Sequence, residues 1–153
     1  MKSFEVTIPG RPAAQGRPRA TKRGGFAGVY EDAKSRDAKA MARDAYVREL
    51  FRVAVSVPAF PRPALLSCLI ECVFALPAGK RRKRKPLPGR EWLASSQCDA
   101  DNLAKLYLDA GNGVLWDDDS QVVELIVWRV RGAQDEPART IVHVVEAGLN
   151  GRL

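Results

Sequence analysis

Apolar and polar side chains alternate from the start of the chain. Phe4, Val6 and Ile8 fall between Ser3, Glu5 and Thr7, the two-residue period of a strand with one buried face. The period lapses over residues 10–30, an arm rich in Gly, Pro and Arg with Gly24-Gly25 as its expected tip. Residues 32–55 turn helical, with Ala38, Ala42, Tyr46 and Val53 inward and Arg36, Lys39 and Arg43 on another face. Pro58, Pro61 and Pro63 end that run. Residues 65–76 alternate again, Leu66, Cys68, Ile70, Cys72 and Phe74 lining one face.

A second helix is expected over Asp101–Ala110, stopped at Gly111-Asn112-Gly113. Gln121–Arg131 and Thr140–Glu146 predict two more strands, joined as a hairpin through Gly132–Pro137. The order β-α-β-α-β-β predicts an α+β fold, a mixed four-stranded sheet with two main helices packed on one face. At 153 residues, 46% hydrophobic, one domain over residues 1–153 is expected, with exposed basic loops at about 10–30 and 78–97.

Charge narrows the choice of partner. A formal net charge of +7 favours phosphates or an anionic surface. Lys80, Arg81, Arg82, Lys83, Arg84 and Lys85 are consecutive cations that repel one another, which predicts an exposed, mobile loop. With Arg17, Arg19, Lys22 and Arg23 in the first arm they form candidate DNA-binding surfaces that hold the phosphate backbone without reading bases. The plain alternative is a solubilising loop. No apolar run approaches the roughly 20 residues of a membrane span. The opening residues lack a signal-peptide core, so a cytoplasmic protein with no membrane partner is expected.

Other chemistries lack the residues they need. Three cysteines, without a CxxC, and a single histidine fall short of the usual four ligands of structural zinc. Cys68 and Cys72 fit a core strand, and His143 alternates with apolar neighbours, which disfavours a histidine-based hydrolase.

In this basic chain the acids gather between residues 98 and 124. Asp99 and Asp101 project to one side just before a helix, and Lys105 shares a helix face with Asp101. Asp117, Asp118 and Asp119 close the segment, where a short loop would bring Asp119 back beside the pair. Three converging carboxylates repel unless a cation joins them, and Mg²⁺ prefers such oxygen ligands. Each residue also has an ordinary use: Asp99 or Asp101 as a helix cap, Asp101–Lys105 as a surface pair, the triple Asp as a polar turn.

The run Asp99-Ala100-Asp101-Asn102-Leu103-Ala104-Lys105, then Asp109, then Asp118-Asp119-Ser120-Gln121-Val122-Val123, resembles the RusA family of Holliday junction resolvases in its DxDNLxK and DDxQV motifs. The likeness is dense over residues 98–124 and thinner elsewhere. It implies a magnesium-dependent endonuclease, a homodimer that makes paired nicks in four-way junction DNA during recombination and repair, of a kind found in phages and prophages. By position it assigns Asp99, Asp101 and Asp119 to the metal, one or two Mg²⁺ per site with Mn²⁺ as an alternative, and Lys105 to the catalytic site. Asp118 is a supporting acid, and no small-molecule cofactor is implied. Two departures are Gln97-Cys98 before the first Asp and Gly111 for the usual leucine, which is expected to loosen the end of the second helix. The rival readings are another metal-dependent nuclease acting on branched DNA or RNA, and a non-catalytic DNA-binding protein.

Overall fold

The computed structural model describes residues 2–16, 19–23, 26–94 and 98–148, with the backbone alone at 19–23 and 26–30. Arg17, the Gly24-Gly25 tip and the side chains of Arg19, Lys22 and Arg23 lie outside the described residues.

The elements in chain order are β1 (Ser3–Pro9), β2 (Arg19–Arg23), β3 (Phe26–Tyr30), α1 (Ala33–Arg52), β4 (Leu66–Phe74), β5 (Glu91–Trp92), α2 (Ala100–Gly111), β6 (Val122–Arg131) and β7 (Arg139–Glu146). The fold is α+β, but its mixed sheet has five strands in the order β1-β7-β4-β6-β5, with β2-β3 as a separate two-stranded sheet. The four-stranded sheet expected from the hydrophobic pattern is corrected accordingly.

The larger correction concerns β6 and β7, which form no hairpin. β4 lies between them, parallel to β6 and antiparallel to β7. Its composition explains this. β4 is buried at every position except Leu69 and Glu71, so it takes the centre of the sheet, where both edges are covered. β6 is at most half-buried along most of its length and fits a flank. Residues 132–138 then bridge two strand spacings, about 10 Å.

The helices cover one face. Phe4, Val6 and Ile8, the Leu66–Phe74 alternation, and Val142 and Val144 form one core with Tyr46, Leu50, Leu103, Leu106 and Tyr107. α1 begins where the Asp32 carboxylate accepts the Ser35 N–H at 3.0 Å, a side-chain N-cap. It ends at Arg52, earlier than its apolar pattern suggested, and Val53 is 40% exposed rather than inward. Among the described residues no helix is long and apolar enough to cross a membrane.

Candidate active site

Asp99 occupies the N-cap position of α2 with extended backbone, yet its carboxylate makes no capping hydrogen bond. Asp101 sits in the first turn, and no ion pair joins it to Lys105 among the described residues. All three side chains are exposed. The two ordinary uses of this pair, cap and surface salt bridge, are therefore not what the fold makes of it. The helix N-terminus presents two uncommitted carboxylates with an ammonium one turn behind them.

The helix that carries them is held firmly. Leu103, Leu106 and Ala110 are buried, and Tyr107 anchors a small polar network. The Tyr107 hydroxyl accepts from Thr140 Oγ1 at 2.7 Å and from the Ala13 N–H at 3.2 Å, while Tyr46 donates to the Tyr107 carbonyl at 3.1 Å. Burial pushes the Tyr107 phenol up to about 12, so it stays protonated. The Asn102 carbonyl accepts from the Gln15 N–H at 2.9 Å, tying the N-terminal arm to the first turn of α2.

Two α1 cations, read from the sequence as sharing a face apart from the inward residues, reach across to α2. Lys39 pairs with Asp109 at 3.3 Å and Glu31 at 2.8 Å. Burial pulls the Lys39 ammonium down, but the Glu31 and Asp109 carboxylates outweigh it and its pKa is raised. Arg43 donates to the Asn112 carbonyl at 2.7 Å, closing the C-terminal end of α2 where cations are favoured.

Gly111 does not loosen that end. A Cβ there would stand 2.5 Å from Cζ2 of Trp116, which is fully buried. The indole takes the space a side chain would fill, and its Nε1 donates to Asn112 Oδ1 at 2.9 Å. Gly111→Ala should lower the melting temperature by on the order of 5 °C in a thermal scan. Overpacking costs about 1–3 kcal/mol, and the better helix propensity of Ala offsets about 1.

The three aspartates after α2 have different fates. Asp117 accepts the Arg62 N–H at 2.8 Å. Asp118 caps a short 3-10 turn, Asp119–Gln121, by accepting the Ser120 N–H at 3.0 Å. The Ser120 hydrogen bonds, aided by Arg62, hold its carboxyl below the usual range. Gln121 ties the segment to the preceding loop: Nε2 donates to the Phe60 and Ala64 carbonyls at 3.1 and 3.0 Å, and Oε1 accepts from the Asp117 N–H at 2.9 Å. Sequence reasoning used Gln121 only to mark the motif; burial of a lone polar residue at a strand start is visible only in three dimensions. Asp119 alone of the three has a carboxylate without a hydrogen bond or ion pair among the described residues, and it is half-buried.

The fold does not return Asp119 to the side of Asp99 and Asp101. Arg129, near the C-terminal end of β6, donates to the Cys98 carbonyl at 2.7 Å, which sets the start of α2 toward that end of the sheet. Asp119 precedes the opposite end of β6, where Val122 pairs with Leu66. The 12 residues of α2 rise about 18 Å between the two. Among the described residues no group of three His, Cys, Asp or Glu side chains is placed to hold one metal ion.

The basic loop is exposed from Lys80 to Lys85, but it is tethered rather than free. The Arg82 N–H donates to Gln134 Oε1 at 2.8 Å and Gln134 Nε2 donates back to the Arg82 carbonyl at 2.9 Å. The Gln134 N–H bonds the Pro88 carbonyl at 3.0 Å. A cleft of about 620 Å³ lies beneath, lined by Lys80, Arg81, Arg82 and Arg90 among others. Arg90 pairs with Glu136 and, at 2.8 Å, with Glu71; Glu136 also pairs with Arg139.

The Arg90 guanidinium holds the Glu136 carboxyl at about 2, below the ordinary range near 4.3. A depressed folded pKa means the stability is present above the unfolded value and lost as pH falls from about 5 toward 2. Glu136→Gln should therefore melt below wild type at neutral pH, with the gap closing across that window in pH-dependent thermal scans.

Cys68 and Cys72 are core residues whose thiols burial pushes up to about 12. Residues 9–145 match the family model of endodeoxyribonuclease RusA. No curated protein matches the chain. The match spans nearly the whole chain and includes the uncommitted acids of α2, and the chain belongs to the RusA family of Holliday junction-resolving endodeoxyribonucleases.

Proposed function

We propose that the chain is a magnesium-dependent resolvase that cuts four-way DNA junctions by paired, symmetric nicks, acting as a homodimer in recombination and repair. The observation that carries this reading is the pair Asp99 and Asp101, free of internal partners at the start of α2 with Lys105 behind them, in a chain of this family. Hard carboxylate oxygens that no protein group has claimed fit Mg²⁺. When bound, the ion supplies Lewis-acid activation of water and of the phosphoryl oxygens. Lys105 orients the scissile phosphate and offsets charge developing on it. The Lys80–Lys85 loop and the first basic arm hold flanking phosphates.

A two-fold junction calls for one active site per strand, hence a C2 pair of chains. Since Asp119 stands at the far end of α2 from Asp99 and Asp101, the acid set closes between chains: Asp99 and Asp101 of one protomer work with Asp119 of the partner subunit.

The direct test is cleavage of a labelled immobile four-way junction with Mg²⁺, against EDTA and a linear duplex. Symmetric nicks that need both metal and junction are expected; binding without any cut overturns the reading. Mixing two inactive variants, Asp101→Asn and Asp119→Asn, tests the shared site. A mixed dimer then has both lesions in one site and an intact second site, so nicking of one strand returns. No return on mixing, with exchange shown by differently tagged chains, places the acids within one chain.

A further inference from the structure

Two tryptophans share the face of the sheet that the helices leave open. Cys68, Ile70 and Cys72 of β4 point into the core, so Glu71 and its cross-strand neighbour Trp128 point the other way. Trp92 of β5, paired with Val130, lies on that same outer face. The two indoles meet edge to face, with centroids 6.1 Å apart and planes at 75°. Trp92 is nonetheless 72% exposed and Trp128 40% exposed. A paired aromatic surface left in solvent marks a place where something binds.

The surroundings indicate what binds. A cleft of about 300 Å³ at the indoles holds Glu71, Glu91 and Arg90. Glu71 pairs with Arg90 at 2.8 Å and Glu91 pairs with Arg131, so both acids are matched by cations. The neighbouring cleft of about 620 Å³ shares Arg90 and Glu91 and adds Lys80, Arg81 and Arg82. Those three cations have no carboxylate partner among the described residues. A phosphate site therefore adjoins an aromatic one, which is the chemistry of a nucleotide in a single strand. The pair also lies near the first acids of α2. The Leu93 N–H donates to the Arg129 carbonyl at 2.9 Å, and Arg129 donates to the Cys98 carbonyl at 2.7 Å. Two hydrogen bonds thus link the residue after Trp92 to the residue before Asp99.

We propose that Trp92, braced by Trp128, stacks on an unpaired base of a DNA strand while Lys80, Arg81 and Arg82 hold a phosphate of the same strand. On the resolvase reading given above, on which this placement rests, the base is one displaced at the branch point. In a duplex every base is paired and stacked, and turning one out is unfavourable. At a branch point the stack is already interrupted. The cations therefore serve junction and duplex alike, and the indole gives the preference for the junction.

Tryptophan fluorescence tests this directly. Trp116 is fully buried, so quenching by added DNA reads Trp92 and Trp128. The probes are a short oligothymidine, a duplex of equal length and a four-way junction, all in EDTA so that nothing is cut. Oligothymidine and junction are expected to quench, and duplex is not. Trp92→Ala is expected to weaken oligothymidine binding by on the order of tenfold while duplex binding stays within about twofold. The salt slope is expected to stay unchanged, and Trp92→Phe to keep most of the affinity. If Trp92→Ala fails to fold, Trp92→Leu keeps the apolar bulk without the π face and gives the same contrast with Trp92→Phe. Equal quenching by duplex, or wild-type oligothymidine affinity in Trp92→Ala, overturns the platform and leaves the resolvase reading to junction cleavage. Stacking as expected in a chain that cuts no junction with magnesium keeps the platform and overturns the resolvase reading.

Discussion

Asp101→Asn is expected to lower junction cleavage by on the order of a thousandfold while leaving junction affinity within about twofold, since removing one carboxylate of the proposed metal site costs several kcal/mol of transition-state stabilisation. The substitution keeps the shape of the side chain and removes its charge. Its structural cost is small because the carboxylate is exposed and bonds nothing internal. Only the favourable interaction of an acid with the first turn of α2 is lost, about 0.3–1 kcal/mol. Single-turnover cleavage and gel-shift titration on the same junction separate the two effects. Normal cutting with magnesium removes Asp101 from the site.

Replacing Lys80–Lys85 with serine is expected to flatten the dependence of junction binding on salt. If the loop neutralises about five phosphates, the slope of log K against log salt falls in magnitude by on the order of four, and low-salt affinity drops by several orders of magnitude. These side chains are exposed, and the tether to Gln134 uses only the backbone of Arg82, so the loop keeps its place. Titrations across a range of salt concentrations read the slope directly. An unchanged slope identifies the run as a solubilising loop.

The parts of the fold that were legible in the sequence are those set by local period. The Leu66–Phe74 alternation, the α1 run and the Asp99–Lys105 spacing each state their own structure, and all three elements formed, with α1 ending at Arg52 rather than at residue 55. The parts that were not legible depend on competition between distant segments. Nothing near Gly132 says that β4 is more apolar than its neighbours and will part β6 from β7. The β2-β3 hairpin did carry a signal, Gly24-Gly25 between two five-residue runs, but Arg and Lys outnumber apolar residues in β2 and masked it. β5 is two residues long and has no period to read. In the candidate site, the types and spacing of Asp99, Asp101 and Lys105 were enough to place them at the start of α2. Lys39 meeting Asp109 across 70 positions, and α2 separating Asp119 from the first pair, are facts of packing that no local pattern encodes.

The Gln134 tether has a consequence for how the basic loop meets a polyanion. Its bonds to Arg82 and to Pro88 close residues 83–87 into a short cycle fastened to the turn before β7. A free polycationic segment must surrender about 1–2 kcal/mol of backbone freedom for every residue it orders on a ligand. Here part of that ordering is already built into the fold by the tether at Arg82 and Pro88. Four of the six mutually repelling charges, Arg82 to Lys85, are also kept from spreading apart, so the loop presents a standing charge density, and any grip it has on phosphate should weaken less on warming than that of a flexible tail of the same composition.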